Sequence, residues 1–230
     1  MTHTMKPYRV QLLLDAPASV PPGAPVDEAV AVRVVGGVPL EAQTALSQTW
    51  DWPGAPAAMA RVRDAMEITL TPGDLDRRAV LARMQAAVEA LLEQVETVAI
   101  HWVSAERLVS VESFRDAMAH GGAPADHAIN VRLFRVGDGR SGEGLMDTRG
   151  LSAFGLPDLE CHFVGLELGD VGRLLMAYAE YAFEKGDVLH DDAMVRGVRS
   201  HEEWECKRGR AKALPDRDVV AFVPSAPHAP

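Results

Sequence analysis

Two stretches of this chain follow the same local pattern, and together they limit the folds open to it. Met66–Gln94 and Leu159–Gly186 each read as a strand, a short turn containing Gly-Asp, and an amphipathic helix. In the first, Met-Glu-Ile-Thr-Leu runs into Pro72-Gly73-Asp74. Val80, Met84, Val88, Leu91, Leu92 and Val95 then fall on one helical stripe. In the second, a strand from Leu159 to Leu166 meets Gly169-Asp170. Val171, Leu174, Leu175, Tyr178 and Ala182 share one face, and Gly186 supplies the stop. A helix with a single apolar face has to lay that face on another element. The pattern predicts an α+β protein of two strand–helix lobes, with mixed or antiparallel sheet and helices packed on one side. The likeness is one of pattern, without a residue-level repeat.

The remaining segments fit around these two units. Tyr8–Leu14, Arg63–Thr71 and Thr97–Val103 read as strands, and Ser110–Ala119 as a short helix. Asp27 and Glu28, just after Pro25, suggest a short helix over Val26–Val35. Asp15–Pro25 is a proline-rich loop, and Pro39–Pro56 contains Trp50-Asp51-Trp52-Pro53. Ala128–Val136 and Gly144–Thr148 flank a Gly-Asp-Gly-Arg-Ser-Gly turn, a hairpin signal. Trp204–Lys207 and Asp218–Val223 read as short strands. The organisation expected is an N-terminal lobe over 1–120, a C-terminal lobe over 121–223 and a disordered tail over 224–230.

Composition narrows the function classes. At 230 residues, 47% of them hydrophobic, the chain can bury a substantial core. Its formal charge of −10 argues against nonspecific nucleic-acid binding, which relies on cations displacing counterions. It suits electrostatic steering toward a basic partner. No apolar run approaches the ~20 residues a bilayer demands. The N-terminus lacks the long apolar core of a leader, so the cytoplasm is the expected location. Two cysteines, Cys161 and Cys206, are expected as free thiols.

Each chemical candidate meets a plainer alternative. In a strand, Leu159, Cys161 and Phe163 face one way, and Glu160 and His162 the other. That would set Glu160 and His162 together on an accessible face, an acid–base geometry that ordinary strand alternation also produces. His190, Asp191, Asp192, His201 and Cys206 are metal-ligand types, yet no Cys-x-x-Cys or His-Glu-x-x-His spacing occurs. No metal or cofactor is expected, and Asp191 and Asp192 read as a solvated loop or a binding edge. The glycines at 137–144 lack the Gly-Lys-Ser/Thr ending of a phosphate loop. His101 reads as a satisfied, half-buried histidine. Trp50 and Trp52 are either a lid over the core or binding anchors, since Trp is enriched at interface hot spots. Asp147-Thr148-Arg149 and Asp158 read as fixing the chain path through turns and ion pairs. No nucleophile motif such as Gly-x-Ser-x-Gly is present, so no catalytic residue is assigned.

One series of residues resembles a known family. An asparagine-led strand at Asn130 is followed by Met146-Asp147-Thr148, then by Gly-Leu-Ser-Ala-Phe-Gly-Leu-Pro-Asp-Leu-Glu ending at Glu160. Gly186-Asp187, Trp204-Glu205-Cys206 and Pro215-Asp216-Arg217-Asp218-Val219 continue the series. The first half matches more loosely, at Leu12–Asp15, Trp50, Ala99–Trp102 and Leu108–Ser110. Together these resemble the bacterial proteins grouped as domain of unknown function 4261. The resemblance brings no activity and therefore no catalytic residues. It implies an immunity or accessory role beside secreted toxins. The resulting expectation is a cytoplasmic, non-enzymatic interaction protein whose partner is a cognate toxin or effector, without nucleic acid or membrane. Trp50, Trp52, Glu160, His162, Asp191 and Asp192 are its candidate binding residues, and self-association is left open. The rival reading is an enzyme or small-molecule binder with a pocket between the lobes, near His101 and His162.

Overall fold

Strand β1 (Tyr8–Leu14) anchors the first unit because it carries apolar residues on both faces. Tyr8, Val10, Leu12 and Leu14 point one way and Leu13 the other, and all five are buried. It pairs antiparallel with β3 (Asp64–Leu70) on one side and with β4 (Thr97–Trp102) on the other. Strands β2 (Val30–Val34) and β5 (Arg107–Val109) add outward, giving the order β2-β3-β1-β4-β5. The computed structural model describes residues 5–121, 125–136 and 142–225. Within it the chain divides into two compact units between Ala128 and Ile129.

The helix expected over Val26–Val35 is instead strand β2. Val30, Val32 and Val34 alternate along it and are β-branched, which favours an extended chain. Asp27, read from the sequence as a helix-start charge, closes a turn. Its Oδ1 accepts from the backbone N–H of Ala29 at 2.7 Å and of Val30 at 2.9 Å.

The two faces of this sheet are covered differently. Helix α3 (Arg77–Leu92) packs on β3 and β1, and α4 (Val111–His120) packs on β4. There the Trp102 ring lies 6.2 Å from both Tyr8 and Phe114. Both helices start on side-chain caps. Asp76 accepts from Ala79 N–H at 2.8 Å, and Ser110 from Ser113 N–H at 3.0 Å. On the other face lie α1 (Leu40–Leu46) and α2 (Ala55–Arg61), seven residues each and without a side-chain cap. Ala42, Ala45 and Met59 join Leu13, Ala65, Ala99 and Leu108 in one buried cluster. These two helices escape a sequence reading because their contact faces are mainly alanine, which gives no apolar stripe.

The second unit is a six-stranded sheet. Its order is β6 (Asn130–Arg135), β7 (Glu143–Arg149), β8 (Asp158–Val164), β11 (Asp218–Val223), β10 (Glu203–Arg210), β9 (Met194–Arg196). All pairings are antiparallel except β8 with β11. Helix α5 (Leu168–Lys185) follows β8, as α3 follows β3, so both strand–turn–helix units form. Its Tyr178 meets Phe222 edge-on at 5.2 Å, and Gly172 passes closely over Met146. Register places Met146, Cys161, Phe222 and Cys206 in one row across the sheet. Phe222 thus separates the two thiols by two strand spacings, ~10 Å, too far for a disulfide. Both are free and buried, and burial raises Cys161 to about 12 and Cys206 to about 11. The protein is therefore α+β, with one antiparallel and one mixed sheet. The glycine-rich turn at 137–141, the boundary residues 122–124 and the tail from 226 onward lie outside the described residues.

Candidate functional site

Three polar assemblies stand out, two of them in the first unit. Register across its sheet sets Arg33 opposite Glu67, Glu67 opposite Gln11, and Gln11 opposite His101. This row spans β2, β3, β1 and β4 on the face under α1 and α2. Glu67 Oε1 accepts from Arg33 at 2.6 Å, while Oε2 accepts from Arg9 at 3.1 Å and Gln11 at 2.9 Å. Burial would raise the Glu67 carboxyl, but hydrogen bonds from Gln11 and Arg33 and the charge of Arg9 hold it below its ordinary value. The Gln11 amide nitrogen also donates to Glu41 Oε1 on α1, at 2.9 Å.

The orientation of Gln11 then decides the state of His101. With its nitrogen committed to two carboxylates, Gln11 presents its oxygen to His101 Nδ1 at 2.9 Å. Nδ1 must therefore carry the proton, which leaves Nε2 with a bare lone pair. Nε2 is buried, and no protein group among the described residues bonds to it. His101 was expected to be half-buried and satisfied; it is fully buried and satisfied at one nitrogen only. Burial, with a contribution from Arg9, lowers its pKa to about 4, so the ring is neutral at pH 7.

The second assembly is the Trp50–Trp52 loop between α1 and α2. The structure divides the two tryptophans. Trp52 packs on the buried cluster beneath the two helices, while Trp50 is 57% exposed. Between them Asp51 pairs with Arg107 Nη2 at 2.9 Å. Arg107, only 12% exposed, also donates to the Asp126 carbonyl. Thr49 Oγ1 donates to Ala45 O at 2.9 Å, and Ala55 N–H to Trp52 O at 3.0 Å. The loop is thus tied at both ends and in the middle.

In the second unit, the face opposite α5 holds a buried ion cluster. Asp147 accepts from Arg132 Nε and Nη2, at 2.9 and 2.7 Å, and from Arg217 Nη2 at 2.6 Å. Arg217 Nε reaches Asp158 at 3.0 Å. Both guanidinium groups also reach the β10–β11 connection, and Arg217 Nη2 donates to Thr148 O at 3.1 Å. Arg132 donates to Leu214 O at 3.0 Å, and Arg217 to Ala213 O and Pro215 O at 3.1 Å each. Asp158 Oδ1 accepts from Leu151 N–H at 3.1 Å. Burial raises the Asp158 pKa against the pull of Arg217 and Arg149. The cluster clamps the connection onto the sheet, as ion pairs fixing the chain path require.

The expected site residues fall apart in this frame. Glu160 and His162 do share a face, but Glu160 is buried and accepts from Lys212 N–H at 2.8 Å. Strand alternation fixes the face correctly and says nothing of the connection that covers half of it. His162 is exposed and meets Glu143 across the strand pair at 2.7 Å. Near it a shallow depression of about 330 Å³ is lined by Leu133, Phe134, Glu143 and Leu168, among others. Asp191 accepts from Arg208 N–H, and the N–H of Asp192 donates to Cys206 O, both at 2.8 Å, so both acids seat their loop on β10. No group of three metal-ligand side chains gathers among the described residues. Sequence reasoning missed Gln11 and Glu67 altogether. Their signal was there: each is a polar residue set between apolar neighbours in a strand, as His101 is in Val-Ala-Ile-His-Trp.

A mixed sheet covered on one face by a helix, and on the other by a connection clamped to buried ions, defines the second unit as a domain. Over residues 147–222 it matches the family model described as Domain of unknown function (DUF4261). The match opens at Asp147 and encloses Asp158 and Arg217, so three of the four clustered ions lie inside it. Comparison with curated proteins and with solved structures gives no match.

Proposed function

We propose that this protein is a cytoplasmic, non-enzymatic interaction protein that neutralises a cognate secreted bacterial toxin, in the manner of an immunity protein. The observation that carries this reading is Trp50. A large aromatic side chain stands in solvent on a loop held by the Asp51–Arg107 pair and by Trp52 packed below. An anchor fixed before binding loses little entropy on binding, and exposed tryptophans are enriched among binding hot spots. The charge of −10 supports a basic partner, drawn in by steering and seated on Trp50. Among the described residues no helix is long and apolar enough to cross a membrane, which is compatible with a cytoplasmic site of action. The test is co-expression. Cells carrying the partner toxin should survive with the wild-type chain or His162→Ala and die with Trp50→Ala. Survival with Trp50→Ala would reject the reading.

A further inference from the structure

We propose that the Arg33–Glu67–Gln11–His101 row is an acid-sensitive latch: it holds the α1–α2 cover closed at neutral pH and releases it when His101 takes a second ring proton. The consequence for partner binding rests on the Trp50 reading above; the opening itself rests only on the geometry of the row.

Every group facing His101 is accounted for. From β1 come Arg9 and Gln11, from β3 Glu67, from β2 Arg33, and from α1 Glu41. Strand β5 opposes it with Leu108. The one charged residue of α2, Arg61, is paired with Asp15, and Asp51 of the intervening loop is paired with Arg107. Neutral His101 fits this company, because its Nδ1 proton meets Gln11. A proton arriving at Nε2 creates a buried cation. Both Glu67 oxygens are already taken by Arg9, Gln11 and Arg33, and among the described residues no acceptor stands at Nε2. A buried charge without a partner is among the costliest arrangements a fold can hold. The least costly relief is to admit water, and the cover is where water enters. Helices α1 and α2 are two turns each and lack side-chain caps, whereas α3 and α4 are longer and capped. Helix α1 is tied to the row itself through Glu41 and Gln11. Trp50 lies between the two cover helices, so opening dismantles its platform.

Hydrogen exchange on the full chain tests the latch, comparing protection at about pH 7.5 and about pH 5 after correction for intrinsic rates. With His101 near 4 when closed and 6.5 when open, protection over residues 40–61 should fall about thirtyfold, with α3 and α4 unchanged. His101→Gln keeps a donor toward Gln11 but does not titrate, and should abolish the fall. Arg9→Gln removes a repelling cation, raises the closed-state pKa of His101 toward its open value and should shrink the fall; it serves if His101→Gln does not fold. A pH-independent cover, an equal loss over α3 and α4, or an unchanged fall in His101→Gln would each overturn the latch. An opening that leaves partner capture intact would uphold the latch and overturn the Trp50 reading.

Discussion

The two units each bury a polar network on one sheet face, and the two networks end differently. In the second unit Arg132, Asp147, Arg217 and Asp158 bond to one another and, through spare donors, to three carbonyls of a single connection. In the first, the row from Arg33 to Gln11 is equally well paired but runs out at a histidine nitrogen with no partner among the described residues. A closed network of fixed charges acts as a clamp, because both guanidinium groups stay charged at any ordinary pH. A row that ends in a titratable ring can respond to its surroundings. All of the clamp but Arg132 falls within the segment that carries the family match; the row lies wholly outside it.

The sharpest way to break this contrast is to cut the clamp. Asp147→Ala leaves Arg132 and Arg217 buried against one remaining carboxylate and should cost about 3–5 kcal/mol in urea unfolding. A loss under about 1 kcal/mol would mean that the cluster is no clamp. Next comes acid. His101 binds its proton less tightly when folded than when unfolded, so the unfolded state gains protons first as pH falls below 6.5. Stability is therefore intact above 6.5 and declines until about pH 4, by about 3 kcal/mol in all. Asp158 has the opposite sign: its raised pKa favours the folded state as pH falls. Urea titrations at a series of pH values should show the decline in the wild type and not in His101→Gln. Gln11→Leu strips His101 Nδ1 of its acceptor and Glu67 of a donor, and should cost about 1–3 kcal/mol. Smallest of all, Trp50→Ala and His162→Ala remove exposed side chains, and each should shift stability by less than about 0.5 kcal/mol.

Much of the fold was legible because periodicity reports burial. The stripe from Val80 to Leu91 and the alternation from Leu159 to Phe163 each became buried faces. What stayed illegible depends on partners far away in sequence. Asp27 could open a helix or close a turn, and the pairing of the following Val30–Val34 with β3 decides between them. Glu160 lies on the face that alternation assigns, yet whether that face is open depends on a connection more than fifty residues later. The tryptophans pose the same problem over a similar range. Trp50 and Trp52 flank a single aspartate, and the Arg107 that pins it sorts them into one exposed and one packed ring.

The most direct test of the account is affinity capture of the tagged full chain at moderate salt, with wild type and Trp50→Ala in parallel, followed by expression of any captured protein without its partner. The account predicts one stoichiometric basic protein, held by the wild type, released by Trp50→Ala with a loss of about 2 kcal/mol or more in binding, and toxic when expressed alone. Capture of no protein, or of a harmless one held equally by both chains, would contradict it.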